Sequence, residues 1–156
     1  NGEHIMKKIG VISDTHGVVN EKVMDIFKEC DMIIHAGDIG TMDVMNTLAT
    51  IAPVKAVRGN IDTEDWAEKF PVTRIEEIEG IKVFVIHDIG SIEDDLKSLG
   101  CSVVICGHSH QYKQEVKDGI RYINPGGSGR KRFNLPLSVV ILTINQGECI
   151  AREIFL

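Results

Sequence analysis

Apolar positions along the chain follow two rhythms. Ile9-Gly10-Val11-Ile12, Met32-Ile33-Ile34 and Val54 to Val57 are short β-branched runs that read as strands, the last opened by Pro53. Between them, Glu21 to Lys28 carries Val23, Met24 and Phe27 on one helical face behind Asn20, a plausible N-cap, and Met42 to Thr50 reads as a second helix. This alternation predicts βαβ units and a largely parallel sheet. Trp66 and Phe70 fall in a turn-rich connector.

After Pro71 the rhythm changes. Thr73 to Ile78 and Ile81 to Ile86 flank Glu79-Gly80 as a hairpin, Ser91 to Leu99 reads as a helix, and Val103-Val104-Ile105 as a buried strand. Gln114 to Lys117, Ile120 to Ile123, Ser138 to Ile144 and Cys149 to Ile154 are further strands, with turns at Asp118-Gly119 and Gln146-Gly147. Two facing sheets with helices outside would bury these runs. No repeat, composition break or low-complexity linker divides the chain, so residues 6–156 read as one domain. Asn1 to Ile5 precede Met6 and read as an expression-vector remnant, which sets His4 aside.

Composition narrows the picture. At 156 residues, 43% hydrophobic and 26% charged, the chain has enough apolar mass for one core and no run long enough to span a membrane as a helix. Lys plus Arg number 17 against 23 Asp plus Glu, a net charge of -6, so nucleic acid is not expected as a bulk partner. Cys30, Cys101, Cys106 and Cys149 form no C-x-x-C pair and read as reduced, partly buried thiols of a cytoplasmic protein.

Candidate chemistry sits where strands end. Five apolar runs lead into polar clusters: Ser13-Asp14-Thr15-His16-Gly17, His35-Ala36-Gly37-Asp38, Arg58-Gly59-Asn60, His87-Asp88 and Cys106-Gly107-His108-Ser109-His110. Ligands of open α/β sheets bind beyond the carboxyl ends of strands, so the clusters are expected to converge. Two aspartates, an asparagine and four histidines offer oxygen and imidazole nitrogen, donors suited to Mn, Fe, Zn or Ni. Neutral histidines beside carboxylates favour a metal ion, and glycines before Asp38, Asn60 and His108 permit close backbone approach. Asp14 with His16, and His108 with His110, are expected to share a side at i and i+2 of extended segments. Seven donors exceed one tetrahedral shell and imply two ions about 3.5–4 Å apart.

Asp14-Thr15-His16, Gly37-Asp38, Gly59-Asn60, His87 and Gly107-His108-Ser109-His110 stand in an order that resembles the metallophosphoesterase (calcineurin-like) superfamily, in its small phosphodiesterase-like branch. Asn124-Pro125-Gly126 resembles a turn of the same branch. The resemblance implies an α/β (α+β) fold, a four-layer α/β/β/α sandwich of two facing mixed sheets flanked by helices. It implies that Asp14, His16 and His110 hold one divalent ion, that Asn60, His87 and His108 hold a second, and that Asp38 bridges them. Manganese is the first choice, with iron, nickel or zinc admissible. A hydroxide bridging the ions would attack a phosphodiester, and no protein nucleophile is needed.

Two departures bear on the chemistry. Ile61 follows Asn60 where many members have a leaving-group histidine, while Asp62 matches the small members and is expected to orient the site. His87-Asp88-Ile89 keeps one histidine of a common H-G-H, and Asp88 reads as turn chemistry. The expected catalytic set is Asp38, Asn60 and Asp62, with Asn60 and Arg130 as candidate substrate contacts. Arg130-Lys131-Arg132 and Arg58 offer positive charge to a small phosphorylated substrate, and His35 reads as a core histidine beside the site. Loops 62–71, 88–93 and 126–135 would select substrate. The alternatives are a phosphomonoesterase on the same site, or a non-catalytic interaction module like the retromer subunit that resembles this family; similar proteins also form homo-oligomers.

Overall fold

In the computed structural model, residues 6–132 and 134–156 are described; the reading of Asn1 to Ile5 as a vector remnant lies outside the described residues. The first half runs β1 (Met6–Ile12), α1 (Glu21–Ile26), β2 (Met32–His35), α2 (Met42–Ala49) and β3 (Val54–Ala56). A 3-10 turn over Asp65–Lys69 leads to β4 (Thr73–Ile78) and β5 (Ile81–Ile86). A second 3-10 turn, Ile89–Ser91, precedes α3 (Leu96–Leu99) and β6 (Cys101–Ile105). β7 (Lys113–Lys117), β8 (Ile120–Asn124), β9 (Ser138–Asn145) and β10 (Glu148–Phe155) complete the order.

The strands form two five-stranded sheets, ordered β10-β9-β1-β2-β3 and β4-β5-β6-β8-β7. β1, β2 and β3 are parallel neighbours, as are β5, β6 and β8, while β9, β10, β4 and β7 pair antiparallel. Both sheets are therefore mixed. Hairpins close at Glu79-Gly80, Asp118-Gly119 and Gln146-Gly147, each with both residues at positive φ, the conformation whose twist matches paired strands.

Strand alternation sorts the core into layers. Ile9 and Val11 of β1, Ile34 of β2, Val83 and Val85 of β5, and Val103 and Ile105 of β6 meet between the sheets with Val140, Leu142 and Ile144. Burying each such side chain stabilises by roughly 1.5–3 kcal/mol. The opposite face of β1 and β2 carries Ile12 and Ile33 against Val23 and Phe27 near α1 and Val44 and Leu48 of α2. Phe27 lies flat on Gly10, where an added Cβ would come 2.8 Å from the ring. The far face of the second sheet holds Phe84, Ile86, Val104 and Ile120 under Leu96 of α3. The sandwich is thus α/β/β/α, with its last layer thin.

Asn20 caps α1 as expected, its side chain accepting from Lys22 N at 3.0 Å. The helix expected over Ser91 to Leu99 is instead two short turns. Asp88 accepts from Gly90 N, and Asp95 accepts from both the amide and the hydroxyl of Ser98, so two caps within eight residues break one helix into pieces. Among the described residues no helix is long and apolar enough to cross a membrane.

Candidate metal centre

β1, β2 and β3 run parallel in one sheet and β5 and β6 in the other, and bonds from His87 Nδ1 to Ala36 O and from His108 N to Asp14 Oδ2 bring the segments after all five to the same end of the sandwich. Backbone bonds then stitch those segments together. Asp14 N donates to Gly37 O, His16 N to Asp38 O and Gly107 N to His87 O, all at 3.0 Å.

Each carboxylate in this rim spends one oxygen on the frame and turns the other inward. Asp14 Oδ2 accepts from the Ser13 hydroxyl at 2.7 Å and from His108 N at 3.0 Å. Its Oδ1 is buried without a hydrogen-bond partner and lies 3.4 Å from His110 Nε2, 3.7 Å from His16 Nε2 and 3.8 Å from His87 Nε2. Asp38 Oδ1 accepts from Ile61 N at 3.1 Å, leaving Oδ2 3.3 Å from His87 Nε2 and 3.6 Å from His16 Nε2. His87 Nδ1 donates to Ala36 O at 2.8 Å, so its Nε2, also buried and unpartnered, presents its lone pair to the carboxylates.

These spacings are those of a coordination shell. Donors about 2.1 Å from one ion in tetrahedral array stand about 3.4 Å apart. Two such groups form, Asp14 with His16 and His110, and Asp14 with Asp38 and His87. The donors are oxygen and imidazole nitrogen only, which fits Mn, Fe, Zn or Ni, and a buried carboxylate oxygen left without any partner is costly unless a cation meets it.

Electrostatics point the same way. Burial works against ionisation of Asp14, yet His16, His87 and the Ser13 hydroxyl hold its carboxyl below the ordinary value. Burial also opposes ionisation of Asp38, and His87 with the Ile61 amide overcomes it. Burial resists charge on His87, but Asp38 and Asp14 hold its pKa above the usual value. His110 is pushed down, first by burial.

The remaining expected ligands stand at the mouth. The His108 ring meets the His87 ring edge to face, centroids 5.2 Å apart, and is exposed. Asn60, also exposed, lines a cavity of about 260 Å³ with Arg58, His87 and His108. The structure corrects one expectation about how the ligands gather. Asp14, His16, Asp38, His108 and His110 all have positive φ, from 46° to 77°, so the ligand pairs converge through left-handed backbone and not through extended alternation. Such strain collects where a site over-determines the chain.

Other positions sort plainly. Asp62 is buried, and both its oxygens accept backbone amides: Oδ2 from Ile39 at 3.0 Å and Gly59 at 2.8 Å, Oδ1 from Gly40 at 3.0 Å. It thus ties the Asp38 loop to the Asn60 loop and faces the frame. Arg130 is exposed on a loop anchored by Gly129 N on Asp14 O. Arg58, beside the ligands, is the cation placed on the cavity wall, its Nη1 donating to Phe70 O at 3.3 Å. Asp88 makes the turn bond expected of it.

Ser13 and Asn124 stand in motifs quoted from the sequence, but no role was expected of them or of Ser128, and all three hold the rim from behind. Asn124 donates to Gly107 O at 2.9 Å, and the Ser128 hydroxyl donates to Ser13 O at 3.1 Å. Ser13 was findable as the residue between a buried strand and Asp14. The glycine expectation is met in space: a Cβ on Gly59 would overlap Asp38 Oδ1, and one on Gly107 would overlap the Ser13 hydroxyl. Cys30, Cys101 and Cys106 are buried free thiols, with burial pushing Cys106 up to about 12.

Residues 6–147 match the model of the calcineurin-like phosphoesterase superfamily domain, and the chain belongs to that family. A curated relative from Methanothermobacter thermautotrophicus, described as a "probable metallophosphoesterase", is 38% identical over 94% of this chain and 90% of its own. A phosphodiesterase of Methanocaldococcus jannaschii is 31% identical over 76% of this chain and 82% of its own. Among solved structures, an archaeal phosphodiesterase superposes with a TM-score of 0.75 at 27% identity, covering 96% of this chain and 99% of the other. Vacuolar protein sorting 29 of Cryptosporidium parvum reaches 0.77 at 17% identity over 97% and 98%, a likeness of fold.

Proposed function

We propose that this chain hydrolyses phosphoesters, diesters ahead of monoesters, at a centre of two divalent ions. Asp14, His16 and His110 would hold one, Asn60, His87 and His108 the other, and Asp38 Oδ2 would bridge, with manganese preferred and iron, nickel or zinc accepted. The observation that carries this reading is the pair of buried, unpartnered atoms, Asp14 Oδ1 and His87 Nε2, 3.8 Å apart, with Asp38 Oδ2 3.3 Å from the same His87 nitrogen. Ions bound there supply Lewis acidity and activate water at neutral pH.

The chain's own groups do the positioning. Ala36 O fixes the His87 tautomer, Ser13 and His108 N fix Asp14, and Ile61 N fixes Asp38, so the donors need little rearrangement on loading. Asp62 acts through these loops. Asn60 and Arg58 sit where they would bind phosphoryl oxygens, a role better supported at Arg58 than at Arg130. Ile61 occupies the place of a leaving-group acid, which favours diesters with good leaving groups, and a relative named a phosphodiesterase supports the same preference. The substrate is a small phosphorylated molecule met in the cytoplasm, handled by residues 6–156 as one unit.

The test is hydrolysis of bis(p-nitrophenyl) phosphate and of p-nitrophenyl phosphate by metal-stripped protein before and after manganese, beside Asp38→Asn. Manganese-dependent cleavage of the diester, reduced at least about 100-fold in the variant, is expected. Faster monoester cleavage would make it a phosphatase, and no turnover of either would overturn the enzyme reading.

A further inference from the structure

The centre opens beside a second cavity. It holds about 210 Å³ and is walled by Ile89, Cys106, His108, Lys113 and Tyr122. His108 and Asp88 border both this lobe and the cavity that holds Arg58 and Asn60, so the two lobes flank the ligands on either side of one ridge. Each is smaller than the roughly 300–1,000 Å³ of a pocket for a whole ligand, and suits one substituent of a molecule whose middle lies on the ridge.

The lobe's chemistry follows from the second sheet. Ile123 of β8 points between the sheets, so its neighbour Tyr122 points to the outer face, packed with Phe84 and Val104 near Ile120. Cys106, buried, adds a small apolar wall. Lys113 is paired with Glu115 at 3.5 Å, which leaves little net charge for a phosphate there. Sharing Ile89, Glu115 and Tyr122 with the lobe, a trough of about 410 Å³ lined also by Asp94, Asp95 and Asp118 beside Lys97 and Lys117 gives room for an uncharged substituent longer than one ring.

Resting on the diesterase reading above, we propose that this lobe is the subsite for one ester substituent and selects a flat aromatic one, stacked on Tyr122 and covered by Ile89. The substrate class is then a small phosphodiester carrying a nucleoside or aryl group, in preference to a purely alkyl diester. Tyr122 and Ile89 are specificity-determining residues and take no part in the bond change.

Manganese-loaded protein is assayed with thymidine 5′-(methyl phosphate) and with sn-glycero-3-phosphoethanolamine, both of which release an alcohol, read by phosphorus NMR. Wild type is expected to favour the thymidine ester about tenfold or more in kcat/KM, the scale of discrimination an apolar pocket achieves. Tyr122→Ala, and Ile89→Trp, which fills the lobe, should each raise KM for the thymidine ester about tenfold, the loss usual for a base stacked on an aromatic side chain. Tyr122→Phe should keep KM within about twofold of wild type, and two manganese ions per chain by calorimetry in every variant separates a lost subsite from a damaged fold. Turnover with KM unchanged in both Tyr122→Ala and Ile89→Trp, or no preference between the esters, overturns the subsite alone. Turnover of neither ester by wild type overturns the diesterase reading and the subsite with it.

Discussion

His35 shows how much a single residue behind the ligands decides. Thr15 Oγ1 donates to Ile39 O at 2.8 Å, so it must accept from His35 Nε2 at 2.9 Å, while His35 Nδ1 accepts from Gly37 N at 3.1 Å. The ring is therefore neutral with its proton on Nε2, and complete burial takes its pKa down to about 4 against the pull of Asp14 and Asp62. Between the ordinary value of 6.5 and about 4 the unfolded chain binds this proton and the folded chain does not, so stability present above 6.5 is lost as pH falls through that window. The loss is about 3 kcal/mol at about 1.36 kcal/mol per unit. Urea unfolding of metal-stripped protein at pH 7 and pH 4.5 should show most of it, and His35→Gln should flatten the dependence; an equal slope in the variant would assign the loss to other groups. The sequence marked His35 as a core histidine near the site, because its strand position alone says so. It could not show the left-handed backbone at Asp14, His16, Asp38, His108 and His110, because Asp and His, though enriched in that region, adopt it only in a minority of places and the neighbouring strand ends decide where.

Among elements, the strand-end loops are tied directly to each other. Asp62 takes amides from Ile39 and Gly40 after β2 and from Gly59 after β3, so one carboxylate fixes the relative position of Asp38 and Asn60. Asp62→Asn cannot accept at both oxygens and should lower manganese affinity and diester turnover by about 10–100-fold while circular dichroism stays native. Titration of metal with stripped variant checks this, and wild-type affinity would reduce Asp62 to a turn residue. Such a tie was legible only as a spacing, Asn60 to Asp62, since two of its three partners, Ile39 and Gly40, lie more than twenty residues away. Hairpins were legible in full because Glu79-Gly80, Asp118-Gly119 and Gln146-Gly147 set their own geometry. The segment after Asp88 was not: Ile92, Leu96 and Leu99 have helical spacing, but Asp88 and Asp95 each start a new turn.

Across the whole molecule, the five strand-end motifs pointed to both the fold and a rim: parallel β1, β2 and β3 gather three of them, parallel β5 and β6 gather two, and the bonds His87 to Ala36 O and His108 N to Asp14 join the two groups. Which cation faces the ridge was not legible: Arg58 adjoins Gly59-Asn60 and Arg130 opens a basic run, and only the path of the loops puts Arg58 on the cavity wall. The same gathering leaves a cost in the metal-free chain, because Asp14 Oδ1 and His87 Nε2 are buried without partners at the centre of the rim. Ions that bind the folded chain alone relieve it, adding about 2.7 kcal/mol per site at a hundredfold excess over Kd. For a chain of this size about 1 kcal/mol moves Tm by about 2–4 °C, so two filled sites should raise it by about 10–20 °C. Calorimetric melting of chelator-treated protein, with and without manganese, should show that rise, and Asp38→Asn should cut it by half or more because both sites share that carboxylate. A rise equal in wild type and variant would place the stabilising ions elsewhere. No rise in either would leave the rim a hydrogen-bonded frame whose buried oxygen is met by something other than a divalent cation.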